Sequence, residues 1–208
     1  MFSLPDLRPH IGEKTDPIIC RVAERQKYPR NAIIYTSQFR FNLNILGGYY
    51  SRPLSVFSHW PLASENIMAL PTRRLDRRLW AFYTRRILPR LCQDEREVEA
   101  TFVDTARLDF GIMERVRERV DLGRFVAYPK AGDDPRLSST GLTRAELLSL
   151  LRDHEQEERV IEAARRSASK LGLDSGTAEF VFQWLMNETL NVEVEFLLRG
   201  GLGHGFKS

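Results

Sequence analysis

No apolar run in this chain approaches the roughly 20 residues that a bilayer-spanning helix needs, so no membrane span is expected. The opening stretch, MFSLPDLRPHIGEKTD, has no basic segment followed by an apolar core. No secretory signal is readable there, and a cytoplasmic location is expected. Cysteine is nearly missing. Cys20 and Cys92 are too few for a disulfide framework, and no Cys/His spacing matches a zinc site. Two buried, reduced thiols and no metal are expected. Lysine is also scarce, at five of the 31 basic residues, which leaves 26 arginines against a net charge of only +3. Arginine presents a planar fork suited to carboxylate and phosphate, so anionic ligands come into view. Arg73, Arg74, Arg77 and Arg78 alternate with Asp76 and apolar residues and lack the aromatic interleaving of a nucleic-acid binder. No nucleic-acid partner is expected.

The chain does have enough length and apolar content to bury a core: 208 residues, 42% of them hydrophobic. A single domain over residues 1–208 is expected. Helical periodicity dominates the last two-thirds. Thr72 is placed as the N-cap of a segment running to about Cys92, with Leu75, Leu79, Phe82, Ile87 and Leu91 on its apolar side and Pro89 kinking its end. A long amphipathic helix is expected from about Val98 to Tyr128, followed by a loop over residues 129–142. Thr143 and Glu146 form a capping box that opens another helical region ending near Gly172. Thr177 is placed as the cap of a last helix ending at Gly200-Gly201. Ile18 to Tyr28 reads as helix, and residues 29–62 as an ordered, irregular connection. The fold class is all-α.

Three spaced polar pairs stand out. Arg119 and Lys130 are 11 residues apart, which at about 100° per residue brings both to one helix face if helical geometry reaches Lys130. Two such cations could grip the ends of a small dianion, although two surface cations at a chance spacing would read the same way. Asp153 with Glu157, and Thr189 with Glu193, are i, i+4 pairs beside apolar stripes. A carboxylate turned into a helix bundle needs a partner or takes up a proton. Solvated helix faces with ordinary ion pairs are the alternative, and no single pair specifies an activity.

Taken in order, four stretches resemble the fungal and plant branch of the all-helical chorismate mutases. They are Asp16-Pro17-Ile18-Ile19-Cys20-Arg21-Val22-Ala23-Glu24-Arg25; Arg119 through Lys130, with Gly123-Arg124-Phe125-Val126-Ala127 inside it; Glu157-Glu158-Arg159-Val160-Ile161-Glu162; and Thr189 through Arg199. The resemblance implies a helical bundle and a cofactor-free pericyclic rearrangement of chorismate to prephenate, within aromatic amino acid biosynthesis. It also implies a homodimer. Carried over residue by residue, Arg8 and Arg119 bind the two substrate carboxylates, and Lys130 donates to the ether oxygen. Asp153 adds a substrate contact, Glu157 accepts from the ring hydroxyl, Thr189 helps bind a carboxylate, and Glu193 faces the ether oxygen opposite Lys130. The catalytic set is thus Lys130, Glu193 and Arg119.

Three departures from that pattern are visible. Asp153 stands where fungal members carry asparagine. Pro5, Pro9 and Pro17 crowd a helix that is unbroken in the family. Val103-Asp104-Thr105-Ala106-Arg107 replaces the stretch that holds the effector-binding Gly-Ser pair, which argues against regulation by tyrosine or tryptophan. Two other readings are carried forward. One is an isochorismate pyruvate-lyase-like enzyme using the same pocket. The other is a non-catalytic helical regulatory protein that binds an aromatic metabolite.

Overall fold

The computed structural model describes residues 3–35, 72–139 and 141–199. Eight helices and no strand occur among the described residues. They are α1 (Leu4–Gly12), α2 (Thr15–Arg25), α3 (Thr72–Phe82, continued to Leu91), α4 (Phe102–Asp121), α5 (Gly123–Asp133), α6 (Arg144–Leu151), α7 (His154–Lys170) and α8 (Ser175–Leu198). The all-α expectation holds. Most of the expected irregular connection, and Gly200-Gly201, lie outside the described residues.

Local chemistry explains most of the boundaries. Pro5 lies at the first turn of α1 and Pro17 at that of α2, where the missing N–H leaves no intrahelical bond unmade. The segment that Pro5, Pro9 and Pro17 crowd is two helices, with Glu13 and Lys14 between them. The Thr143–Glu146 capping box is present and opens α6. That region is nevertheless two helices, because Arg152 takes an extended conformation and Asp153 caps α7 through Gln156 N. At the far end of α7, Gly172 has φ +67, and its N–H and that of Leu173 return to the carbonyls of Ser169 and Ala168. A residue without a Cβ suits that left-handed turn.

Several boundaries depart from expectation. Asp174, not Thr177, caps α8: its carboxylate accepts from both the backbone N–H and the hydroxyl of Thr177. A carboxylate three residues ahead wins over a hydroxyl already inside the first turn. The helix ends at Leu198. The long helix expected over 98–128 starts at Phe102 behind a short 3-10 turn and breaks at Leu122. It then continues as α5 to Asp133, so residues 129–133 are helix rather than loop. In α3, the effect of Pro89 appears one turn upstream, as a π-helical turn over Tyr83–Ile87. Proline has no N–H for the carbonyl four residues back, and a widened turn absorbs the mismatch. Cys92 is buried as expected, but Cys20 is exposed.

Helix α8 is the central element, packing against α4, α5, α6 and α7, while α2 packs on α4 and α7. The main core joins Ile18 and Val22 of α2, Leu79 and Tyr83 of α3, Ile112 and Val116 of α4, and Phe182 and Leu185 of α8. Two smaller clusters flank it, one around Leu7, Phe125 and Phe196 and one around Leu147, Leu151 and Val194. Inside the main core is a charged knot that no sequence pattern signals. The Arg25 guanidinium, fully buried, is 2.9 Å from Asp109 and donates to the carbonyls of Pro29 and Arg30. Tyr35 and Tyr83 donate their hydroxyls to the same Asp109 carboxylate. Burial pushes Asp109 up to about 7, against the pull of Arg25. The knot ties the segment after α2 to α3 and α4.

Candidate active site

Between the clusters lies a cleft whose walls come from six helices and from Asp153 at the start of α7. Three segments contribute with the same periodicity. Leu4, Leu7, Arg8 and Ile11 of α1 face it, as do Asp153, Gln156, Glu157 and Val160 at the head of α7, and Met186, Thr189, Leu190 and Glu193 of α8. Each set is an i, i+3, i+4, i+7 stripe, the single face that a helix can turn toward a shared space. Arg119 from α4 and Val126 and Lys130 from α5 close the remaining side. The break at Leu122 does not separate the two cations, because Leu122 keeps right-handed helical angles (φ −58, ψ −22) and α5 carries on past Lys130.

All seven residues singled out in the sequence line this one cleft: Arg8, Arg119, Lys130, Asp153, Glu157, Thr189 and Glu193. Their surroundings differ in ways that matter chemically. Lys130 Nζ lies 2.9 Å from Glu193 Oε2 and donates to the carbonyl of Leu151 at 2.7 Å. Glu193 is only 4% exposed. Burial pushes its carboxyl up; Lys130 and Arg119 oppose that rise and the Glu157 charge adds to it. Arg119, 3% exposed, places Nη1 3.4 Å from the Thr189 hydroxyl, which in turn donates to the Leu185 carbonyl at 2.8 Å. Its Nε is buried without a partner among the described residues. Burial holds this guanidinium down to about 10, with the Glu193 charge acting the other way. A buried cation with an unspent donor beside a cleft is suited to an incoming anion.

The mouth is wetter. Arg8 Nη2 is 3.1 Å from Asp153 Oδ2, with both side chains close to half exposed. Such a pair is weak, worth about 0–1 kcal/mol, and it occupies only part of the Arg8 fork. Glu157 faces the Arg152 guanidinium at 3.3 Å across the outer wall.

The close approach of α5 to α8 depends on Gly123. A Cβ there would stand 2.6 Å from the Thr189 carbonyl oxygen, a backbone atom that cannot swing aside. This contact brings Arg119 and Lys130 within reach of Thr189 and Glu193. The apolar wall (Leu7, Ile11, Val126, Val160, Met186) and Gln156 were not anticipated. The three periodic stripes are the signal that could have found them.

What the site offers is three cations and three carboxylates around a partly apolar space, without a nucleophile paired to a base among the lining residues. It can bind an anion with more than one acidic group, hold it in one conformation, and place a cation beside a buried acid.

Three comparisons bear on this geometry. Residues 103–194 match the family described as Chorismate mutase type II. A maize protein, chorismate mutase 2, cytosolic, is 25% identical over 95% of this chain and 96% of its own length. Among solved structures, a Candida albicans chorismate mutase in complex with L-Trp superposes with TM-score 0.79 at 15% identity, covering 95% of this chain and 91% of its own. The chloroplast chorismate mutase of maize superposes with TM-score 0.77 at 17% identity, covering 98% and 97%.

Proposed function

We infer that this chain belongs to the all-helical chorismate mutases of the type II family and rearranges chorismate to prephenate. The observation that carries this reading is the convergence of Arg8, Arg119, Lys130, Asp153, Glu157, Thr189 and Glu193 on one cleft, from segments up to 185 residues apart in sequence.

The reaction breaks a C–O bond and forms a C–C bond within one molecule, with no net proton transfer. Catalysis therefore reduces to holding the dianion in its compact reactive conformer and stabilising negative charge on the ether oxygen as the C–O bond opens. Arg8 and Arg119 are the carboxylate clamps, Arg119 acting together with the Thr189 hydroxyl. Arg119, buried beside the cleft, makes the deeper and stronger of the two contacts. Lys130 and Glu193 bracket the ether oxygen. Lys130 arrives pre-aimed, because the Leu151 carbonyl fixes its ammonium whatever Glu193 does. Glu193 serves as a donor when protonated, the form that burial favours. With Glu193 neutral the cleft carries one excess positive charge toward a dianion; with Glu193 ionised that excess disappears. Glu157 accepts from the ring hydroxyl, and Asp153 adds a contact at the mouth.

The homodimer and the cytoplasmic location belong to the same proposal. The homodimer is supported by the resemblance, and the cytoplasmic location by the maize relative, which is described as cytosolic. No described helix is long and apolar enough to cross a membrane. The decisive test is to incubate the purified chain with chorismate and follow prephenate. Saturable, enzyme-dependent formation is expected. No turnover, or pyruvate released from isochorismate in its place, would overturn the reading.

A further inference from the structure

Between α6 and α7 lie only two residues, Arg152 and Asp153. Asp153 lines the cleft and Arg152 does not. The Arg152 side chain runs along the outside of the wall. Its Nε is 3.3 Å from Glu157 Oε1, and its Nη2 donates to Asn187 Oδ1 on α8 at 2.6 Å. The residue before it, Leu151, supplies the carbonyl that fixes Lys130. Leu151 and the two linker residues thus touch the lysine, the mouth and the glutamate of the site.

We propose that Arg152 is a positioning residue for the reaction proposed above: from outside the cleft it holds the Glu157 carboxylate against the wall, with Asn187 as its anchor on α8. The inference rests on that functional reading. A guanidinium can do both jobs because its donors form a rigid, planar fork, one edge for the amide oxygen and the Nε side for the carboxylate. An ammonium is a point charge and cannot hold both partners in the same geometry. The other basic side chain paired with Glu157 among the described residues is His154, whose Nδ1 is 3.9 Å away on a strongly exposed ring.

The brace also has an electrostatic reach. Glu193 on α8 faces Arg119 of α4, Lys130 of α5 and Glu157 of α7, and shares the cleft with Arg8 of α1 and with Asp153. Glu157 strengthens the hold of Glu193 on its proton. Arg152 offsets part of the Glu157 charge. Without Arg152, Glu157 would both lose its fixed place and press harder on Glu193. A merely structural arginine would do neither.

The experiment measures KM, kcat and the pH profile of kcat/KM with chorismate, plus circular dichroism, for the whole chain. The variants are Arg152→Gln, Arg152→Lys, Glu157→Gln and the Arg152→Gln/Glu157→Gln pair. For Arg152→Gln, KM should rise roughly 3- to 10-fold, the scale of a part-exposed charged contact. Its alkaline limb should move to higher pH by about half a unit as the Glu157 charge is uncovered. Arg152→Lys should restore the limb but only part of KM. In the Glu157→Gln background, Arg152→Gln should change neither quantity. Wild-type KM and an unmoved limb in Arg152→Gln would overturn the proposal, as would the same shift persisting without Glu157. A wild-type chain inactive on chorismate would instead overturn the functional reading, and this inference with it.

Discussion

Replacing Glu193 by glutamine separates the acid form of this side chain from its charge. Glu193 is 4% exposed, and burial raises its carboxyl above the ordinary value of 4.5. If the neutral acid is the ether-oxygen donor, the active fraction of the wild type falls about tenfold per pH unit above that pKa, so two units above it roughly 100-fold is lost. Glutamine has nearly the same shape and its amide donates at every pH. Lys130 keeps its bond to the Leu151 carbonyl when the carboxylate is gone. The variant should retain substantial activity and stay level until Arg119 begins to lose its proton. Arg119 is held down to about 10, and the Glu193 charge is what supports it there. The decline of the variant should therefore begin somewhat below 10. The assay is kcat/KM against pH for both proteins. Urea unfolding offers a second readout with a definite sign. A raised folded pKa means stability that is full below about 4.5 and lost as pH climbs through the folded value. The wild-type midpoint should thus drop relative to that of Glu193→Gln as pH rises above about 4.5. Two parallel activity profiles, declining at the same pH, would refute the assignment of Glu193 as donor.

Three further outcomes are expected. Arg119→Ala and Lys130→Ala should each lower kcat/KM about 100- to 1,000-fold, the usual effect of deleting one preorganised donor, with helical circular dichroism preserved; near-wild-type activity in either would remove it from the site. Gly123→Ala should cost about 1–3 kcal/mol through overpacking against the Thr189 carbonyl and weaken activity as well, read from the urea midpoint and from kcat/KM; an unchanged midpoint would show that the α5–α8 approach is not tight. Light scattering at micromolar concentration should give about twice the 24.1 kDa mass of one chain, and a monomer mass would count against the dimer.

Much of the site is legible in the sequence because its polar residues sit on helices, where spacing and facing are linked by 3.6-residue geometry. Thr189 and Glu193 share a face of α8 for that reason, as do Gln156, Glu157 and Val160 on α7. Arg119 and Lys130 are a harder case. Pro129 and the glycines around it favour a loop, yet α5 runs on to Asp133 and keeps both cations on the cleft. The caps show the same limits at closer range. A capping box at Thr143 can be read directly, whereas the choice of Asp174 over Thr177 depends on which side chain reaches the free N–H groups first.

By itself the amino-acid order determined the helical class and the absence of any long apolar span, which follow from local periodicity and residue type. The full polar set, Arg8 included, was reached through the resemblance to a known family. Tertiary packing decided the rest. Only the approach of α5 to α8 over Gly123 sets Lys130 2.9 Å from Glu193. Only burial from several helices at once raises the Glu193 carboxyl and lowers Arg119. The Arg25–Asp109 knot and the Arg152 brace likewise join residues 84 and 35 positions apart. Sequence spacing carries no information across such distances, since a buried charge finds its partner through the packing of whole helices rather than through its neighbours in the chain.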